Sequence, residues 1–90
     1  MVKKSGLRRI KGGKTLKIDL ELESDIIKDI IISGDFFAYP AEAIEELENT
    51  LKGTSIHDLR NIIIEFRKRV TLVGISFKDI IELLDDLINS

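Results

Sequence analysis

The segment KTLKIDLELE, Lys14–Glu23, alternates without a break, with Leu16, Ile18, Leu20 and Leu22 on one side and Lys17, Asp19, Glu21 and Glu23 on the other. Side chains of an extended chain point alternately to opposite faces, so this spacing predicts a strand with one face buried and one in water. Ser24-Asp25 follows with turn chemistry. The run Ile26-Ile27-Lys28-Asp29-Ile30-Ile31-Ile32-Ser33 is β-branched enough to form a second strand that folds back as a hairpin. Gly34-Asp35 punctuates its end.

The rest of the chain reads as cover for that hairpin. Pro40 suits a first helical position, Glu42, Glu45 and Glu46 suit the positive end of the helix dipole, and Ile44, Leu47 and Leu51 give an apolar face that stops at Gly53. A second helix is expected from Ser55, whose spacing to Asp58 resembles a capping box, through Leu59, Ile62, Ile63, Phe66 and Val70. The Ile62–Ile64 run is ambiguous between helix and strand. Thr71-Leu72-Val73-Gly74 reads as a connector or a brief strand. Ser76 and Asp79 repeat the capping spacing ahead of a third helix, whose stripe is Phe77, Ile80, Ile81, Leu84, Leu87 and Ile88. The expected fold is α+β: a small antiparallel sheet, made of the hairpin with or without a third short strand, packed on about three helices in the order ββααα. Residues 1–12 are expected to be a basic N-terminal arm and residues 13–90 the folded domain.

Ninety residues, 43% of them hydrophobic, make one small domain with a thin core, and such a domain gains stability from any partner that binds its folded form. The chain has no cysteine, which excludes disulfides, thiolate metal sites, cysteine nucleophiles and cluster scaffolds. With a single histidine, His57, an imidazole-built metal or acid–base site has little to work with. Neither a secretory leader nor a membrane-spanning run is present in the sequence, so the expectation is a cytoplasmic protein. Charge is uneven. Lys3, Lys4, Arg8, Arg9, Lys11, Lys14 and Lys17 precede the first acid, Asp19, whereas the remainder carries seven basic and sixteen acidic residues. Such an arm either binds nucleic acid or an acidic protein surface, or is simply a solvated terminus.

Candidate chemistry is sparse. Gly13-Lys14-Thr15 looks like the end of a phosphate-binding loop, but that motif needs a glycine where Arg8 stands and a helix after it, whereas a strand follows. Gly12-Gly13 therefore reads as a turn. His57 beside Asp58 could be drawn as a proton-transfer pair, although a solvated histidine in a first helical turn is the commoner case. The unusual segment is Ile32-Ser33-Gly34-Asp35-Phe36-Phe37-Ala38-Tyr39-Pro40, which holds three of the five aromatic residues. If Phe36 and Phe37 are extended, they face opposite ways, so one enters the core and the other needs different cover, which a partner could supply. The alternative is a bend at Gly34 that seats both rings under the first helix.

Gly12-Gly13-Lys14 opening a strand, the Gly34-Asp35-Phe36-Phe37 cluster with Pro40, the helix with Ile44-Glu45-Glu46-Leu47-Glu48 and Leu51, and then Gly53 together resemble the C-terminal accessory domain of lipoate–protein ligase. The resemblance runs from about Lys11 to the end. It implies that a large catalytic subunit uses ATP and magnesium to convert lipoate to lipoyl-adenylate, then lipoylates a lipoyl domain or glycine-cleavage H protein. It further implies that this chain has no cofactor or activity of its own, is needed for the adenylation step, and is the separate small subunit of the split, archaeal form, an assignment that a start at Met1 suits. No catalytic, cofactor or metal residue is then expected here. The expected partner-facing residues are Lys14, Gly34, Asp35, Phe36, Phe37 and Tyr39. The rival reading is a nucleic-acid- or protein-binding module built on the basic arm, but Asp19 and Glu21 on the exposed strand face would repel a phosphate backbone, so nucleic acid is not the expected partner, and with no apolar run of spanning length neither is a membrane.

Overall fold

The computed structural model describes residues 1–90, in the order β1 (Val2–Ile10), β2 (Lys14–Glu23), β3 (Ile26–Gly34), β4 (Phe37–Tyr39), α1 (Ala43–Leu51), α2 (Leu59–Arg67), β5 (Thr71–Val73) and α3 (Phe77–Ile88). Strand β2 is the middle of a three-stranded antiparallel sheet, and Leu16, Ile18, Leu20 and Leu22 are all buried. Strand β3 contributes Ile27, Ile30 and Ile32 to the same face. Positions 27 and 30 would face opposite ways in a regular strand. A register shift between Glu21↔Asp29 and Leu22↔Ile27 inserts Lys28 as an extra residue and brings both isoleucines inward.

Residues 1–12 are not an arm. Val2–Ile10 pairs with β2 along its whole length, from Val2↔Leu22 to Ile10↔Lys14. The side facing the helices carries Val2, Lys4, Gly6, Arg8 and Ile10, so the alternation lacks the apolar signal of a half-buried strand. Gly6 leaves room for α3: a Cβ there would stand 2.9 Å from Leu87 and 3.0 Å from Leu83. The flanking cations hold the same helix. Lys4 Nζ donates to the Ser90 carbonyl oxygen at 2.9 Å, and the Arg8 guanidinium pairs with Asp86. Cations near a helix C-terminus are favoured by the helix dipole, so two of the supposed arm charges are spent on packing.

The helices cover one face of the sheet, with α1 against β3, α3 against β1 and β2, and α2 touching both helices. One core of 18 buried residues results. Each fully buried Leu or Ile contributes roughly 1.5–3 kcal/mol, enough collectively to hold so small a chain together. Both earlier helices begin later than their sequence signals. Pairing of Phe37–Tyr39 with Thr71–Val73 keeps the backbone extended up to Pro40, and α1 starts at Ala43 after a turn in which the Ala43 N–H donates to the Pro40 carbonyl. The backbone around Ser55 bridges to Ile26, so the expected cap at Ser55 does not form and α2 starts at Leu59, ending at Arg67 instead of Val70. Helix α3 keeps its capping box: Ser76 Oγ accepts from the Asp79 N–H, and Asp79 accepts from the Ser76 N–H at 2.8 Å.

The brief strand Thr71–Val73 does form, in a second, two-stranded sheet with β4. Gly34 is the junction between the sheets. Its φ is +151°, and a Cβ would lie 2.1 Å from the Thr15 carbonyl oxygen. Only glycine allows that approach.

Two stability outcomes follow. A chain starting at Lys11 uncovers Leu16, Ile18 and Leu20 along the β1 side and is expected to lose its cooperative thermal transition by circular dichroism; an unchanged melt would contradict the role given to β1. Gly34→Ala is expected to cost about 2–4 kcal/mol in urea denaturation, through backbone strain and the clash with Thr15.

Candidate functional site

In the two-stranded ribbon of β4 and β5, Phe37 stands across from Val73, Ala38 from Leu72 and Tyr39 from Thr71. Alternation then divides the ribbon: Ala38 and Leu72 turn inward, while Phe37, Tyr39 and Val73 are 62%, 59% and 49% exposed. Two aromatic rings and a valine thus share one uncovered face. Apolar groups clustered in this way on a small domain mark a binding surface, whereas single exposed ones need no explanation.

Phe36 takes the other direction. It packs against the core, next to the backbone of Gly34 and Gly74. The two rings therefore diverge as extended backbone requires, and the bend that would bury both is not formed. Asp35 fastens the junction: its Oδ1 accepts from the Thr15 N–H at 2.5 Å, and its own N–H donates to the Thr15 carbonyl oxygen at 3.3 Å. The stem of Lys14 lies over Gly74. Of the six residues expected at the site, Lys14, Gly34, Asp35 and Phe36 gather around the start of β2, and Phe37 and Tyr39 form the outward face. Thr71 and Val73 complete that face and were missed, since their brief strand was legible in the sequence but its pairing with Phe37–Tyr39 was not.

The other candidates dissolve on inspection. Gly12 and Gly13 have φ of +98° and +87° and turn β1 into β2, so their amides open a strand and do not cradle a phosphate at a helix N-terminus. His57 approaches Asp25 and not Asp58, with Nε2 3.3 Å from Oδ2, and both side chains are largely in solvent. Asp85, Asp86 and Glu65 are used in surface pairs, Asp85 with Arg60 at 3.0 Å. No helix is long and apolar enough to cross a membrane.

Residues 5–84 match the family described as the bacterial lipoate protein ligase C-terminus. The chain is 40% identical over 70 residues to lipoate-protein ligase A subunit 2 of Thermoplasma acidophilum, covering 77% of this chain and 74% of that one. A solved structure of an archaeal lipoylation system from the same organism, described as a bi-partite lipoate protein ligase and its E2 lipoyl domain, contains a chain that superposes with a TM-score of 0.76 at 36% identity, covering 91% of each. The match begins at Ser5, inside β1, so the strand read as an arm is part of the shared unit. From its sheet, its glycine junction and these similarities, the chain belongs to the lipoate–protein ligase C-terminal family.

Proposed function

We propose that this chain is the small, non-catalytic subunit of a two-part lipoate–protein ligase, acting in the cytoplasm. It binds the catalytic subunit through the face of Phe37, Tyr39 and Val73, with Lys14 at its border. The observation that carries this reading is the uncovered aromatic ribbon of Phe37, Tyr39 and Val73. Aromatic anchors supply much of the affinity at protein interfaces, because a rigid ring removes a large apolar area from water.

The chain's effect on catalysis is then one of differential binding. A subunit that prefers the adenylation-competent arrangement of its partner raises that arrangement's population without contributing a reacting group. ATP, magnesium and lipoate are bound by the catalytic subunit, and the lipoyl group passes to a lipoyl domain or H protein. The acceptor class is supported by the E2 lipoyl domain named with the similar bi-partite ligase. The junction of Gly34 and Asp35 serves this role by fixing the ribbon to the main sheet, so the aromatic face is presented on a rigid base. The nucleic-acid alternative loses ground because Lys4 and Arg8 are turned toward α3.

The test is lipoyl-adenylate formation by the catalytic subunit with and without this chain. Its addition is expected to accelerate the step by roughly 5–150-fold, the usual span of coupling between sites; equal rates remove the proposal. Single substitutions separate the two rings. Phe36→Ala is expected to lower folding stability by up to about 3–5 kcal/mol. Phe37→Ala should leave the melting curve close to that of the parent and weaken association by at least about tenfold, read by titration calorimetry.

A further inference from the structure

The two edges of the three-stranded sheet are treated differently. Along β3 the outward N–H groups of Ile27, Ile30 and Ile32 are occupied: the Ile32 N–H donates to Glu48 Oε2 at 2.6 Å, the Ile30 N–H to Asp29 Oδ1 at 3.0 Å, and the Ile27 N–H to the Thr54 carbonyl oxygen at 2.9 Å, while the Ile27 carbonyl oxygen accepts from Gly53. These bonds also give the phase of the sheet. Outward amides at Ile30 and Ile32 leave Ile31 and Ser33 to bond Asp19 and Lys17, so Leu16, Ile18 and Leu20 turn their backbone toward β1 and meet Arg8, Gly6 and Lys4. Lys3, Ser5, Leu7 and Arg9 therefore direct their N–H and C=O groups away from the sheet. None of these residues makes a backbone hydrogen bond to a loop or helix.

We infer that β1 is a docking edge, on which an extended segment of the catalytic subunit adds a fourth strand. Resting on the subunit reading above, the inference extends the interface to a second, separate place. Main-chain bonding supplies affinity in strand addition, and the alternate side chains supply selectivity. Here those alternate side chains are Lys3, Ser5, Leu7 and Arg9, with Leu7 62% exposed. Lys3 and Arg9 have no ion-pair partner within 4 Å, in contrast to Arg8. An incoming strand that fits carries acidic side chains opposite Lys3 and Arg9 and an apolar one against Leu7. A second copy of this chain does not fit. Val2–Ile10 holds four cations and no acid, so antiparallel self-pairing about Gly6 would set Lys3 against Arg9 and Lys4 against Arg8.

Amide hydrogen exchange, resolved by residue, tests this on the chain alone and in complex with the catalytic subunit. In the free chain the amides of Lys3, Ser5, Leu7 and Arg9 are expected to exchange quickly, and those of Lys4, Gly6 and Arg8 slowly. In the complex the first four should slow by at least about tenfold. The double substitution Lys3→Gln with Arg9→Gln breaks no internal ion pair, sets no acid against Glu21 across the strands, and should weaken the complex by at least about tenfold at low salt with the chain's own melt preserved. A complex that slows the amides of Phe37–Tyr39 but leaves those four unchanged overturns the docking edge and leaves the subunit reading standing; the β1 cations are then only guards of an open strand. Failure of any complex to form overturns both. Undiminished binding of the double variant overturns the acidic character given to the incoming strand.

Discussion

Four side chains of the middle strand, Leu16, Ile18, Leu20 and Leu22, leave water almost completely, and the other elements are placed by the need to keep them there. A single face of a hairpin cannot do this for itself. Strand β1 closes one flank and β3 the other, and three helices lie across the apolar side. Because side chains alternate along β2, the same strand necessarily presents Lys17, Asp19, Glu21 and Glu23 on the side away from the helices. The one-sided character of the molecule is thus a direct result of period-two geometry.

Closing the sheet on the β1 side required something other than apolar bulk. Gly6 admits the side chains of Leu83 and Leu87, and Lys4 and Arg8 secure the end of α3 through Ser90 and Asp86. On the β3 side, Glu48 and the segment Gly53–Ile56 bind the outward backbone. The result is a sheet with one edge whose outward amides are bonded and one open edge, which makes the latter the side from which an extended segment can approach.

A rigid junction couples this core to the aromatic ribbon. Gly34 passes so close to Thr15 that no side chain is tolerated, and Asp35 bonds the same residue in both directions. Phe36 then packs against the core, and Phe37, one residue on, faces solvent. Exposure of Phe37 and Tyr39 is therefore imposed by backbone geometry and is not an accident of surface composition. A small domain that holds such a face in a fixed orientation suits a subunit whose contribution is binding.

Local periodicity made much of this legible. The alternation of Lys14–Glu23, the β-branched run after it and the third helix with its Ser76–Asp79 cap were readable from the sequence, because each depends on spacing within a few residues, whereas the directions of Phe36 and Phe37 were left open between divergence and a shared bend at Gly34. Strand β1 was not readable, since its three central inward positions are Gly6 and the cations Lys4 and Arg8, whose partners, Ser90 and Asp86, lie some eighty residues away. The delayed starts of α1 and α2 escaped for the same reason: pairing with Thr71–Val73 and the bridge to Ile26 overrode the capping signals. The sequence by itself determined which faces are apolar and where the chain turns. Only the tertiary structure decided that the basic stretch becomes a strand and which residues complete the aromatic face, because those outcomes rest on contacts between segments far apart in the chain.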